Sequence, residues 1–100
     1  MKNILLVCAA GMSTSLLVNK MNEAAKAQNI EVRINAVPVA ECENIIDTVD
    51  IVLLGPQVRF QKSQIEKYTK GRIPVEVIDI RLYGTMNGKA VLETALKAIK

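Results

Sequence analysis

Histidine and tryptophan are absent from this 100-residue sequence, and only three of its residues are aromatic. Without histidine the chain lacks the commonest general base near neutral pH and the commonest metal ligand. The shortage of aromatic residues argues against a nucleic-acid surface that stacks bases between basic side chains. We therefore expect no metal site, no cofactor and no nucleic-acid partner. Any chemistry must come from cysteines, carboxylates, hydroxyls or the backbone.

Cysteines and long apolar runs are also scarce. Cys8 and Cys42 are too few for a disulfide framework, and we expect both to be free thiols. The longest apolar runs, 4–10 and 51–54, are far shorter than the ~20 residues that cross a bilayer. The first residues also lack the pattern of a signal peptide. These features predict a cytoplasmic protein.

The overall composition is that of a folded domain. Half of the residues are hydrophobic and 23% are charged, with a net charge of +3 that is scattered along the chain. This provides enough apolar surface for one core. We expect one domain, residues 1–100, that is monomeric when free.

Apolar runs and helical spacings alternate along the chain. They predict strands at 2–8, 30–37, 51–54 and 74–78. They also predict helices that start at Ser13 or Thr14 and run to 28, and at 39–46, 57–70 and 88–100, with Gly71 ending the third. Short turns join these elements, so the expected fold is α/β: a four-stranded parallel open sheet with helices on both faces. The ligand crevice of such a sheet lies beyond the carboxyl ends of its strands.

The segment from Val7 to Ser15 lies at one of those strand ends and reads V-C-A-A-G-M-S-T-S. A thiol facing the free N–H groups at the start of a helix suits a phosphate group, and this position favours the nucleophilic thiolate. We expect Cys8 to be the nucleophile. The expected phosphate cradle consists of the seven residues that follow it: Ala9, Ala10, Gly11, Met12, Ser13, Thr14 and Ser15. In the structural alternative, Cys8 only completes a buried strand and Ser13 only caps the helix.

Three residues near the other strand ends are weaker candidates for a surface that faces a partner protein: Gln57, Asp79 and Tyr83. Asp79 could instead act as a general acid, or could cap the turn before Leu82. Tyr83 could pack rather than face a partner. Cys42 lies on the apolar stripe of a short helix, where we expect a core thiol.

Three motifs carry a resemblance to a known family. They read C-A-A-G-M-S-T-S-L-L-V from residue 8, V-L-L-G-P-Q at 52–57, and P-V-E-V-I-D-x-x-L-Y-G at 74–84. In this order and spacing they resemble the IIB components of the lactose/cellobiose/chitobiose branch of the bacterial phosphoenolpyruvate-dependent sugar phosphotransferase system. That family is similar in fold to the low-molecular-weight tyrosine phosphatases, which implies flavodoxin-like winding.

The resemblance implies a phosphoryl relay. In that family a phosphohistidine on the IIA component donates to a cysteine, which corresponds to Cys8. The phosphocysteine then passes the group to a β-linked disaccharide, such as cellobiose, chitobiose or lactose, held by the membrane-embedded IIC component. The chain would therefore associate transiently with the inner face of the membrane through IIC.

Two other classes share parts of this pattern. Low-molecular-weight phosphatases and arsenate reductases have the cysteine loop, but they carry an arginine six positions after the cysteine, where this sequence has Thr14. Without that guanidinium, hydrolysis loses a major source of charge stabilisation. A non-enzymatic flavodoxin-like module is the third class, since a parallel sheet does not fix function.

Overall fold

The computed structural model describes residues 2–8 and 12–99, with side chains described for all of these except 12–14. The strands are β1 (Lys2–Cys8), β2 (Val32–Pro38), β3 (Ile51–Leu54) and β4 (Val75–Val77). The α-helices are α1 (Met12–Ala27), α2 (Val39–Ile45), α3 (Lys62–Thr69), α4 (Ile80–Gly84) and α5 (Gly88–Ala98). Two 3₁₀ segments lie at Ile46–Thr48 and Pro56–Gln61.

The four strands form one parallel sheet in the order β2-β1-β3-β4. This is the flavodoxin-like order, in which the chain reverses direction across the sheet beside β1. The expected fold class is confirmed, with β2 as an edge strand and β3 as a central strand. Because every strand is parallel, the four carboxyl ends meet at one edge of the sheet, which we call the carboxyl edge.

Strand β1 is buried on both of its faces. Ile4 and Leu6 pack into a core with α1, α4 and α5, while Leu5 and Val7 pack into a second core with α2 and α3. All four side chains are fully buried, which is typical of a central strand in a parallel sheet. The end of this strand, where Cys8 lies, is therefore held firmly from both sides.

Helix α1 packs through Leu17, Met21 and Ala25, which recur every four residues and are buried in the first core. The helix begins at Met12 rather than at a Ser13 or Thr14 cap, so the backbone of Ser13 lies inside the first turn. Within the part of the chain that the structure describes, no helix has the length and apolar character needed to cross a bilayer.

The predicted single helix at 57–70 is wrong. The chain forms a 3₁₀ segment over Pro56–Gln61 and only then the helix α3. Val58 has non-helical angles (φ −118°, ψ 21°) and a buried side chain, so the backbone bends where Val58 enters the second core. The helix ends before Lys70, which takes the left-handed conformation (φ 54°) one residue ahead of Gly71.

The loop expected after the fourth strand contains the short helix α4. Asp79 caps it, because its carboxylate accepts a hydrogen bond of 2.8 Å from the backbone N–H of Arg81. The capping alternative for Asp79 is thus confirmed. The carboxylate supports the turn that follows β4 and remains exposed at the carboxyl edge.

Candidate functional site

Cys8 is the last residue of β1, between the ends of β2 and β3. It pairs in register with Pro38, and its side chain is 3% exposed. The sulfur lies 3.9 Å from the backbone carbonyl oxygen of Val37, to which the thiol donates a weak hydrogen bond. Because side chains alternate along a strand, Cys8 shares the face of Ile4 and Leu6, which α1 covers.

The segment after Cys8 leads directly into α1. Of the predicted cradle, Ala9, Ala10 and Gly11 lie outside the described residues, while Met12 to Ser15 form the first turn of the helix. The first N–H groups of a helix have no carbonyl partner within it, and they carry the positive end of the helix dipole. That turn contains no acidic residue. Its electrostatic character therefore suits an anion at the carboxyl edge.

Ser15 is the last cradle residue and has an exposed side chain. It lines a cleft of about 290 Å³ between α1 and the edge strand β2, together with Val18, Asn19 and Ala36. The structure thus places Ser15 beside β2, one turn into the helix.

Gly55 and Gln57 adjoin the cysteine from the side of β3. The N–H of Gly55 donates a hydrogen bond of 2.9 Å to the carbonyl of Val7, which extends the sheet by one residue next to Cys8. A Cβ added to Gly55 would lie 3.8 Å from the Cβ of Cys8 and 3.2 Å from Oε1 of Gln57. The Gln57 side chain therefore folds back over Gly55, the residue next to Cys8 in the sheet, although Gln57 as a whole is exposed.

A groove of about 190 Å³ runs between the segments that follow β3 and β4, and its lining includes Pro56, Gln57, Arg59, Ile80 and Tyr83. Ile80 is 68% exposed and contributes an apolar side chain to the lining of the groove. Sequence reasoning found Gln57 and Tyr83 but missed Arg59 and Ile80. The only sequence feature that could have indicated Arg59 and Ile80 is their position shortly after the ends of β3 and β4.

Tyr83 is mainly a core residue. Its side chain is 7% exposed and packs in the first core, with only part of it at the groove. Packing, the alternative left open for this residue, is what the structure shows. A role of Tyr83, Gln57 or Asp79 toward a partner stays a prediction.

Cys42 belongs to the second core and is fully buried, as expected for a core thiol. Burial raises the pKa of the Cys42 thiol above its ordinary value; a backbone hydrogen bond lowers it by less, and the charge of Glu43 raises it further. Both cysteines are free thiols. They thus differ in surroundings, since Cys8 ends a strand at the carboxyl edge and Cys42 lies inside a core.

Comparisons with known proteins show the family of this chain. A family model described as "PTS system, Lactose/Cellobiose specific IIB subunit" matches residues 3–94. The oligo-beta-mannoside-specific EIIB component of Bacillus subtilis (strain 168) is 46% identical over 97 residues, covering 96% of this chain and 94% of that protein. The galactose-specific EIIB component of Lactococcus lactis subsp. cremoris (strain MG1363) is 42% identical over 100 residues, covering 94% and 93%.

A solved structure and a longer protein extend the comparison. The solution structure of the cellobiose-specific phosphotransferase IIB component from Borrelia burgdorferi superposes with a TM-score of 0.82 at 47% identity, covering 98% of this chain and 91% of that one. The lactose-specific EIICB component of Lactococcus lactis subsp. lactis is 36% identical over 56 residues, which are 56% of this chain and 10% of that protein. In that relative, the B component is joined to a C component.

The family match spans nearly the whole chain, the two EIIB relatives are covered over 93–94% of their length, and the solved IIB structure shares the fold. Their names specify different sugars at similar levels of identity. The chain belongs to the lactose/cellobiose-specific IIB subunits of the phosphoenolpyruvate-dependent sugar phosphotransferase system, and it is a sugar phosphotransferase of that system.

Proposed function

We propose that Cys8 is the residue that carries the phosphoryl group. The observation that carries this proposal is the position of Cys8 at the end of the central strand β1, four residues before Met12, the first residue of α1. The strand fixes the backbone of Cys8, and the N-terminus of α1, with the positive end of the helix dipole, lies at the same edge of the sheet. This arrangement supplies a nucleophile and an anion site without a metal ion or an arginine in the loop.

The donor in this proposal is a phosphohistidine on the IIA component. The Cys8 thiolate attacks phosphorus, the P–S bond forms as the P–N bond breaks, and the imidazole leaves with the electron pair of that bond. Phosphoryl transfer of this kind depends mainly on positioning and on neutralising spread-out charge. The first turn of α1 suits this chemistry, since it directs the positive end of the helix dipole to this edge and lacks acidic side chains.

The acceptor is a hydroxyl of a β-linked disaccharide held by the membrane IIC component. The sugar oxygen attacks phosphorus, the P–S bond breaks, and the Cys8 thiolate is regenerated, while the hydroxyl proton passes to a base. The names of the relatives support a β-linked sugar, and the EIICB relative supports IIC as the partner that presents it. The protein would then work in the cytoplasm, at the inner face of the membrane.

Labelling from radioactive phosphoenolpyruvate tests the proposal. The protein is incubated with the general carriers and a IIA protein, as wild type and as the variants Cys8→Ser and Cys42→Ser. We expect label on the wild type and on the Cys42 variant but none on the Cys8 variant. Label that persists in Cys8→Ser, or is lost only in Cys42→Ser, would assign the phosphoryl group to another residue.

A further inference from the structure

Gly55 keeps a space open between Cys8 and the side chain of Gln57. Its backbone angles (φ −61°, ψ 149°) are ordinary extended values that any residue adopts, so the conformation does not require glycine. The position of a Cβ at residue 55 has the Cys8 Cβ, the Val7 carbonyl oxygen and the Gln57 carboxamide oxygen all within 4 Å. The absence of a side chain therefore leaves room that adjoins both the cysteine and the carboxamide.

No partner among the described residues explains the orientation of the Gln57 side chain. Its side chain makes no hydrogen bond to any residue in the described part of the chain, yet its Oε1 lies over Gly55 beside the cysteine. A carboxamide has two N–H donors as well as an acceptor oxygen. A half-turn about its last bond places Nε2 where Oε1 now lies, so the group can present a donor to the same space.

A phosphoryl group on the Cys8 sulfur would bring three acceptor oxygens into this region. The first turn of α1 begins four residues after Cys8, at the same edge of the sheet. Gln57 lies three residues after the end of β3, and its Oε1 is 3.2 Å from the position of a Cβ at residue 55. A hydrogen bond from a neutral carboxamide to a charged oxygen is one of the stronger kinds in proteins.

We propose that the Gln57 carboxamide donates a hydrogen bond to the phosphoryl group on Cys8, with Gly55 providing the room for that contact. This inference rests on the proposed function. Gln57 is a positioning residue in this role: it forms and breaks no covalent bond, and it fixes the orientation of the P–S group for attack by the next oxygen. Such a role differs from the partner-facing role expected from the sequence, since the contact exists in the isolated phosphoprotein.

The test replaces Gln57 with glutamate, which has the same shape but no N–H donor and a repulsive charge. Gln28→Glu is the matched control, because it makes the same charge change on an exposed residue just after the far end of α1. Two quantities are measured: the rate at which label from phosphorylated IIA arrives at Cys8, and the ³¹P chemical shift of the isolated phosphoprotein. The second measurement contains no partner, so it responds to contact with the phosphoryl group and not to docking.

We expect Gln57→Glu to take up label about tenfold more slowly and to change the ³¹P chemical shift, with Gln28→Glu matching the wild type. Gly55→Ala should displace the carboxamide and change the ³¹P shift in an otherwise folded protein. An unchanged ³¹P shift in Gln57→Glu would overturn the inference, even if labelling slowed, because Gln57 would then act only in docking. A wild type without label on Cys8 would instead overturn the proposed function itself.

Discussion

Gly88 is the first residue of α5, and its backbone contacts the backbone of α1. Replacing Gly88 with alanine tests whether the two helices can move apart without loss of stability. A Cβ at this position would lie 2.4 Å from the carbonyl carbon of Lys20 and 2.5 Å from the nitrogen of Met21. Ordinary contacts of a Cβ begin near 3.4 Å. The helices would therefore have to separate by about 1 Å, because both obstructing atoms belong to the backbone of α1 and cannot rotate away.

The expected loss in the free energy of unfolding follows from this separation of α1 and α5. Overpacking of a core costs about 3 kcal/mol at the upper end of its usual range. Alanine recovers at most about 1 kcal/mol through its higher helix propensity. We expect Gly88→Ala to lower the free energy of unfolding by about 2 kcal/mol, which corresponds to a melting temperature about 10 °C lower in a domain of this size.

Urea unfolding followed by circular dichroism measures this change, and Gly84→Ala is the matched control. A Cβ at Gly84 meets no atom within 4 Å, and this residue also lies in a helix. Its replacement should not lower the free energy of unfolding, and the higher helix propensity of alanine should raise it by up to about 1 kcal/mol. If Gly88→Ala were as stable as the control, the close approach of α1 and α5 described here would be wrong.

Two further predictions concern α3 and the second core. Lys70 follows α3 in the left-handed conformation (φ 54°), which costs a non-glycine residue about 1 kcal/mol. Lys70→Gly should therefore raise the free energy of unfolding in urea by up to about 1 kcal/mol. Lys67→Gly, inside the helix, should lower it. A loss of stability in Lys70→Gly would contradict this. Burial raises the pKa of Cys42 in the folded state, so the folded protein holds this proton more tightly than the unfolded chain. The resulting stability is fully present below the unfolded pKa of about 8.5 and is lost as the pH rises through the folded value. Above about pH 8.5, the free energy of unfolding should therefore fall more steeply in the wild type than in Cys42→Ala. Parallel curves for the two proteins would refute the raised pKa of Cys42.

The sheet could be predicted from the sequence because its signals are local. Residues 4–8 and 51–54 are short apolar runs, and their burial explains why the apolar character is continuous. The position of Cys8 at the carboxyl edge followed from the rule for parallel sheets. These expectations needed no knowledge of distant contacts.

The elements that were missed depend on tertiary contacts or on very short segments. Val58 leaves the helical conformation where it enters the second core, which helical spacing does not reveal. Helix α4 has five residues, too few for a periodic pattern, and forms on the Asp79 cap. The direction of Tyr83 follows from that helix, so its burial could not be seen from the sequence either.

In the candidate site, too, the features that depend on neighbouring residues could be predicted and those that depend on tertiary contacts could not. The thiol and the helix start are adjacent in sequence and were found together. The space that Gly55 leaves between Cys8 and Gln57 depends on the pairing of β3 with β1, which brings residues almost fifty positions apart into contact. A glycine in an unstrained conformation gives no local signal of such a contact.

The most direct test of the relay is a single-turnover transfer. Wild-type protein is labelled through phosphoenolpyruvate, freed of every other carrier, and mixed with vesicles that contain a IIC component and a β-linked disaccharide. The account predicts that label leaves Cys8 and appears in sugar phosphate in one step, with the free thiol regenerated. Label released as inorganic phosphate, with none in the sugar, would contradict the account and indicate a hydrolase.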